Sequence, residues 1–244
     1  MKKILTKALL ASAGVALFTQ AAGAQTVAYT HQDLLLGFRE TGKANDLVVD
    51  LGAATQFYSP ASTSPFAVSG LSSLDITAVF GNFNSVSWAV MGTKRLGDTG
   101  SNLNNTMWVT TPRLDLNTQS SALTQASSFS QQNPSGRIAS IGSNFNGEPA
   151  TANSSTATIQ ATGTGFDYST FLGAGGNFQG TYLAANGSVE SSTPSDFASG
   201  GIKYAYEDLY QLNPGSGSGT YLGFFALGSD ATVTFSPVPE PSTL

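Results

Sequence analysis

Two adjacent carboxylates, Glu207 and Asp208, stand within the tyrosine-rich segment 204–210. Two carboxyl groups about 5 to 10 Å apart are sufficient to hydrolyse a glycosidic bond. Neighbouring residues on a strand face opposite sides of the sheet, so Glu207 and Asp208 cannot form that pair together. Glu207 would need a distant partner, for which the candidates are Asp50, Asp75 and Asp167. The segment is equally well explained as a strand with an aromatic core face and with acids turned toward water.

Other groups that commonly carry out catalysis are scarce. His31 is the one histidine of the chain, and cysteine is absent. A nucleophile–histidine pair would have to use His31, and one histidine cannot supply a zinc site. No P-loop, Gly-x-Ser-x-Gly or His-Glu-x-x-His motif occurs. We expect His31 to be solvated. These features predict a protein that is not an enzyme and has no catalytic residues, no metal and no organic cofactor.

The segment 98–105 has oxygen-bearing side chains at alternate positions, from Asp98 to Asn104. Calcium takes such ligands, but the segment lacks the spacing and the final glutamate of an EF-hand loop. A polar hairpin loop accounts for the same residues and is the favoured prediction.

A set of aromatic residues suggests glycan binding as an alternative function. The candidate stacking residues are Trp88, Trp108, Tyr204, Tyr206 and Tyr210. Exposed rings would support sugar binding, whereas buried rings would belong to the core. Each stacked ring contributes about 1 kcal/mol beyond its buried area, so one or two rings predict only weak binding.

Short apolar runs separated by Gly, Ser, Thr and Asn predict a mainly β protein. The clearest strand is 33–39, in which Leu34, Leu36 and Phe38 occupy alternate positions. After a turn at 41–45, the run 47–51 repeats the alternation, and so short a linker requires antiparallel pairing. Further strands are predicted at 86–92, 106–111, 155–161, 202–212, 220–227 and 231–235.

Few helices are predicted. Segment 71–80 has serines that can cap its start, and Gly81 can end it. Segments 117–131 and 138–145 have weaker helical patterns, while 146–153 and 173–180 have loop composition.

These elements predict one domain, residues 25–236, with the fold of an antiparallel β-sandwich or jelly roll and one or two short helices. Its predicted core contains Leu34, Leu36, Phe38, Val49, Leu51, Trp88, Val90, Trp108, Tyr221 and Phe224.

The charge balance argues against nucleic acid as a partner. The chain has 10 Lys plus Arg and 15 Asp plus Glu, a net charge of −5. Three of the lysines lie in the first seven residues, so the remainder is more acidic still. No basic stripe is available to neutralise phosphates.

The N-terminus has the pattern of a signal peptide. Three lysines precede an uncharged, mostly apolar run at 8–18, which is too short to span a bilayer. Small residues at Ala22 and Ala24 then predict cleavage by signal peptidase before Gln25. Residues 1–24 are expected to pack against nothing.

The C-terminal residues Val238, Pro239, Glu240, Pro241, Ser242 and Thr243 resemble the start of the PEP-CTERM sorting signal, which exosortases recognise on exported proteins of biofilm-forming Gram-negative bacteria. In that family the motif leads into a membrane-spanning helix and an arginine cluster. Neither follows Leu244 in this sequence. Residues 237–244 are therefore expected to be the beginning of a truncated sorting signal that packs against nothing.

The body is also similar to a group of PEP-CTERM proteins. The similarity lies in segments 33–39 and 47–52, and in 209–212 with the glycine-rich turn and segment 221–225. It implies placement at the cell surface or in the extracellular polysaccharide matrix. Together with the scarcity of catalytic groups, this placement predicts a non-enzymatic protein with exopolysaccharide as a candidate partner. A truncated tail would imply a periplasmic or secreted protein. Glycan binding, or less favourably a polysaccharide-acting enzyme, remains the alternative.

Overall fold

The computed structural model describes residues 25–172 and 188–238. The predicted signal peptide and motif residues 239–243 lie outside these ranges, as does the loop predicted at 173–180. The strands are β1 (Asp33–Arg39), β2 (Asn45–Ala53), β3 (Phe66–Val68), β4 (Ser87–Lys94), β5 (Thr106–Arg113), β6 (Ala157–Ala161), β7 (Ser191–Ser192), β8 (Tyr204–Leu212), β9 (Thr220–Gly228) and β10 (Val233–Pro237). The helices are α1 (Thr55–Tyr58), α2 (Ser73–Phe80), α3 (Ser128–Phe145) and α4 (Tyr168–Leu172).

The strands form one curled antiparallel sheet, which confirms the predicted mainly β fold class. Its order is β3-β10-β9-β8-β5-β4-β1-β2-β6, and β7 pairs with β4 outside this path. The predicted β1–β2 hairpin is present, with Leu36 opposite Val49 and Phe38 opposite Leu47. Each of the other predicted strands overlaps an observed one.

The sheet has an apolar layer on each face. On the first face, residues from both halves of the sheet, such as Leu36 of β1 and Phe235 of β10, form one cluster that includes Phe57 of α1 and Ile76 of α2. On the second face, a smaller cluster packs the sheet against α3 and α4, represented by Ile141 and Leu172. Burial on both faces explains why several strands are apolar at consecutive positions.

Two predicted core residues are misplaced. Tyr221 and Phe224 are only partly buried, whereas Phe225 and Leu227 fill the first-face core. For Tyr221 the cause is a register shift between β8 and β9, where Leu209 lies opposite Gly223 but Tyr210 lies opposite Tyr221. Such a bulge adds a residue on one strand and changes the face to which the following residues point. Phe224 directly precedes Phe225 on the strand and therefore points to the other face.

The helix predictions are partly right. Ser72 caps α2 by accepting a hydrogen bond from the Leu74 N–H, and Gly81 ends the helix as expected. The prediction of helix over 117–131 is right only from Ser128 onward, where α3 starts, and wrong for the residues before it. The preceding residues contain a turn and two isolated bridges, which join Asp115 to Thr118 and Thr124 to Ser218.

The expectation that Pro237 packs against nothing is also wrong. Pro237 is buried as the last residue of β10, opposite Gly223. A side chain at Gly223 would come within 2.9 Å of the Pro237 Cα, and its φ of +138° also favours glycine. The fold therefore extends one residue beyond the predicted domain boundary.

Candidate functional site

Glu207 and Asp208 point to opposite sides of β8, as predicted, but neither faces water. Both side chains are fully buried, so the expectation of solvated acids is wrong. Each is buried because a loop covers its side of the strand and uses the carboxylate as a hydrogen-bond acceptor.

Asp208 forms a buried ion pair with Arg113. The Arg113 Nη1 lies 2.6 Å from Asp208 Oδ1, and the two side chains are 7% and 0% exposed. The same Nη1 donates to the Tyr221 hydroxyl at 2.9 Å. Burial, followed by the negative charge of Asp208, raises the pKa of Tyr221 to about 12. Tyr221 therefore stays neutral at physiological pH.

Arg113 also fixes the loop that follows β5. Its Nε donates to the Asp115 carbonyl at 2.9 Å, and its Nη2 donates to the Leu116 carbonyl at 2.7 Å. The guanidinium lies 4.4 Å from the centre of the Phe224 ring, which adds a cation–π contact. A single side chain thus joins the loop to β8 and β9.

The far end of this loop, residues 114–121, is held by two groups of β8. Asp208 Oδ2 accepts the Ser120 N–H at 2.6 Å. The Tyr210 hydroxyl donates to the Ser120 carbonyl at 2.9 Å and accepts from Gln119 Nε2 at 3.0 Å. The loop is thus anchored at both ends by side chains from the sheet.

The anchored loop forms one wall of an open groove of about 450 Å³. Residues 118–121 line this wall, and the remaining lining residues are Thr111, Pro112, Leu114 and Ser188. None of these side chains is ionisable. Hydroxyl and amide groups both donate and accept hydrogen bonds, so the groove has the chemistry to bind a neutral polar ligand. We call it the β5 groove.

Glu207 lies where the sheet divides. The pairing of β4 with β5 begins at Met91–Val109 and ends at Lys94–Thr106. The earlier part of β4 pairs instead with β7, where Trp88 lies opposite Ser191. Glu207 Oε1 accepts the Ser191 N–H at 2.5 Å. Burial raises the pKa of Glu207 well above its ordinary value, and the nearby Glu190 raises it further. Glu207 therefore resists ionisation.

Glu190 was not identified as a candidate in the sequence, although it lies near Glu207. It forms a bidentate ion pair with Arg39, with Nη2 2.5 Å from Oε2 and Nε 2.9 Å from Oε1. Its side chain is only 7% exposed. Tyr168 of α4 lies close by and covers Gly37. Burial, followed by the charges of Glu190 and Glu207, raises the pKa of Tyr168. These groups are enclosed by protein.

The three acids considered as partners for Glu207 interact with other residues instead. Asp75 accepts hydrogen bonds from Thr151 Oγ1 at 2.8 Å and Asn153 Nδ2 at 2.7 Å. Asp167 accepts the Thr170 N–H at the start of α4. Asp50 accepts the Gly52 N–H and interacts with Asp33.

Three of the five aromatic residues considered for sugar stacking are in the core. Trp88, Trp108 and Tyr210 are fully buried, and Tyr58 stacks on Trp108 with ring centres 5.7 Å apart. Tyr204 is 48% exposed and stacks with the partly buried Tyr206. Only this pair of the five is accessible.

His31 and the polar loop 98–105 have the positions predicted for them. The side chain of His31 is 58% exposed, and its Nδ1 lies 3.3 Å from Asp98. The segment 98–105 connects β4 to β5, with Asp98 accepting the Arg95 N–H. The described residues contain no cluster of three or more His, Cys, Asp or Glu side chains suited to a metal ion.

Comparisons with known proteins returned no relative. No protein-family model matches the sequence, and searches of curated proteins and of solved structures gave no significant match. Within residues 25–172 and 188–238, no helix is long and apolar enough to cross a membrane.

Proposed function

We propose that this chain is a non-enzymatic exported protein of the cell surface or the extracellular polysaccharide matrix, carrying a PEP-CTERM sorting motif. The sequence supports the proposal at both ends, through the signal-peptide pattern before Gln25 and the motif Val238–Thr243. In this proposal signal peptidase removes residues 1–24, and exosortase is a partner if the motif is followed by the full tail.

The observation that carries the proposal is the pair of sequence signals, one before Gln25 and one at Val238–Thr243. The Ala150 N–H donates to the Gln25 carbonyl, and Val27 is buried two residues later. At the other end, β10 stops at Pro237, and Val238 is 37% exposed. Gln25, the predicted first residue after cleavage, and Pro237, the last residue of β10, therefore both belong to the described domain.

The environment of the acids supports a non-enzymatic role. Asp208 and Glu190 are neutralised by arginines, and Glu207 is fully buried. A glycosidase needs two carboxyl groups that flank an accessible substrate. The polysaccharide-acting enzyme is therefore the weaker alternative.

A secreted glycan-binding module is the stronger alternative, and the β5 groove favours it. The neutral hydroxyl and amide groups of the groove match the hydrogen-bonding chemistry of sugars. The buried Trp88, Trp108 and Tyr210 do not contribute to this argument.

The proposal is tested by fractionating the bacterium that produces the protein. We expect a chain starting at Gln25 in the surface, matrix or other extracytoplasmic fractions. An Ala22→Leu, Ala24→Leu double variant should retain residues 1–24, because signal peptidase requires small residues there. A wild-type protein found in the cytosol with residues 1–24 intact would refute export.

A further inference from the structure

We propose that the β5 groove is a binding site for a neutral oligosaccharide. The inference rests on the proposed function, because a matrix protein meets polysaccharide, and it deepens that function by naming a site and a ligand class. The volume of the β5 groove, about 450 Å³, falls within the range of small-molecule sites.

The lining of the groove selects for an uncharged ligand. Its side chains are those of Thr, Ser, Gln, Pro and Leu, none of which ionises. The Asp115 carboxylate, which accepts a hydrogen bond from Thr118, disfavours an anionic ligand, and the Arg113–Asp208 ion pair is buried and internally neutralised. The chain as a whole has a net charge of −5, which repels acidic polysaccharides.

The groove offers both kinds of contact that a sugar ring makes. Thr118 and Ser121 are exposed hydroxyl residues on the loop wall. A hydroxyl has one donor and two acceptor positions, so a Thr118 that donates to Asp115 Oδ2 at 3.1 Å can still accept. Leu114 is 89% exposed at the groove and supplies an apolar surface for the C–H face of a pyranose.

The anchoring of the loop reduces the entropic cost of binding. Asp208 and Tyr210, both fully buried, hold Ser120, and Arg113 holds residues 115 and 116. A surface loop that is ordered before the ligand arrives loses little conformational freedom on binding. Asp208 and Tyr210 thus hold the exposed loop wall in place, although neither residue lines the groove.

The test is a titration of the isotopically labelled protein followed by amide NMR shifts. The probes are cellobiose, maltose and N,N′-diacetylchitobiose as neutral sugars, with digalacturonate as the acidic counterpart. We expect a neutral probe to shift amides of residues 111–121 and 188, and digalacturonate to bind at least about tenfold more weakly. The absence of shifts for all three neutral probes, shifts located elsewhere, or equal binding of digalacturonate would overturn the inference.

A blocking variant tests the location independently. Ser121→Trp places a large side chain in the groove and should weaken binding about tenfold or more. The control is Ser101→Trp at an exposed position in the loop before β5, at the other end of that strand, and it should bind like the wild type. Unchanged binding by folded Ser121→Trp protein contradicts the inference; if that variant does not fold, the shift map of the wild type decides. Matrix localisation without sugar binding would refute this inference alone, and sugar binding by a cytosolic protein would refute the proposed function alone.

Discussion

Asp208 occupies a position where an unpaired carboxylate would be strongly unfavourable. It is fully buried, and it is stabilised by Arg113 and by the Ser120 N–H. Removal of one member of a buried ion pair leaves the other charge without a partner in a poorly solvated environment. The consequences should reach the β5 groove, since the same contacts anchor its wall.

We therefore expect Asp208→Ala to lower the free energy of unfolding by about 3 kcal/mol or more. Urea denaturation followed by circular dichroism measures this change. The matched control is Asp196→Ala, which removes the ion pair with Lys203 at an exposed position, and it should leave the midpoint almost unchanged. Equal effects of the two substitutions would contradict the assigned role of Asp208.

Two other aspartates make stability depend on pH. Burial raises the pKa of both Asp46 and Asp50 to about 6, above the value of about 3.9 for an aspartate in an unfolded chain. The folded state therefore binds more protons than the unfolded state between these values. This stabilising contribution is complete below about pH 4 and is lost as the pH rises through about 6.

The thermal midpoint should accordingly fall between about pH 5 and about pH 7.5, and it should fall less in Asp50→Asn. The amide oxygen of the variant can still accept the Gly52 N–H that Asp50 accepts. Asp230→Asn serves as the control, because hydrogen bonds from Thr232 lower the pKa of Asp230 and its ionisation lies outside this interval. If wild type and Asp50→Asn have parallel pH profiles, the assignment to Asp50 is incorrect.

At the scale of elements, α4 is positioned by the absence of a side chain at Gly37. A Cβ at Gly37 would lie 2.1 Å from Cε2 of the Tyr168 ring. The ring is fully buried, so it cannot move aside without repacking the second-face core.

Gly37→Ala should therefore cost about 1 to 3 kcal/mol of stability, as overpacking of a core generally does. Gly201→Ala is the control, because nothing lies within 4 Å of its Cβ position and its φ is not positive. Chemical denaturation of the two variants measures the difference. A Gly37→Ala midpoint no lower than that of Gly201→Ala would show that α4 does not depend on this contact.

The sequence predicted the elements better than it predicted the candidate site. Alternation within 33–39 and the short turn after it identify β1 and its hairpin with β2, because both signals are local. The anchors of the β5 groove are not local, since Arg113 and Asp208 are 95 residues apart. The burial of Glu207 likewise depends on Ser191 and on the pairing of β7 with β4. No short sequence pattern encodes these contacts. The bulge between Tyr221 and Gly223 turned Tyr221 away from the first face, and it too depends on pairing with the distant strand β8.

At the scale of the whole molecule, β10 is essential to the sheet, and it ends at Pro237, immediately before the proposed sorting motif. It pairs with both β9 and β3 and contributes Val233 and Phe235 to the first-face core. A chain truncated after Val238 should therefore unfold like the full-length protein.

Truncation after Thr232 removes the whole strand and should abolish cooperative unfolding, because Phe225 and Phe57 lose the Phe235 ring that packs against them. Calorimetry of the two truncated proteins compares them directly. Loss of cooperativity in the chain ending at Val238 would indicate that residues 239–244 belong to the fold.

The order of the strands has a consequence for how fast the protein folds. β5 pairs with β8, and Thr106 Oγ1 donates to a side chain 107 residues further along the chain. Sheets closed by such distant pairings fold slowly, because a long loop must be ordered before its contacts form. If this chain is exported as proposed, slow closure of the sheet would be an advantage, because the chain would stay unfolded, and so able to pass a translocation channel, until its C-terminal strands had arrived on the other side.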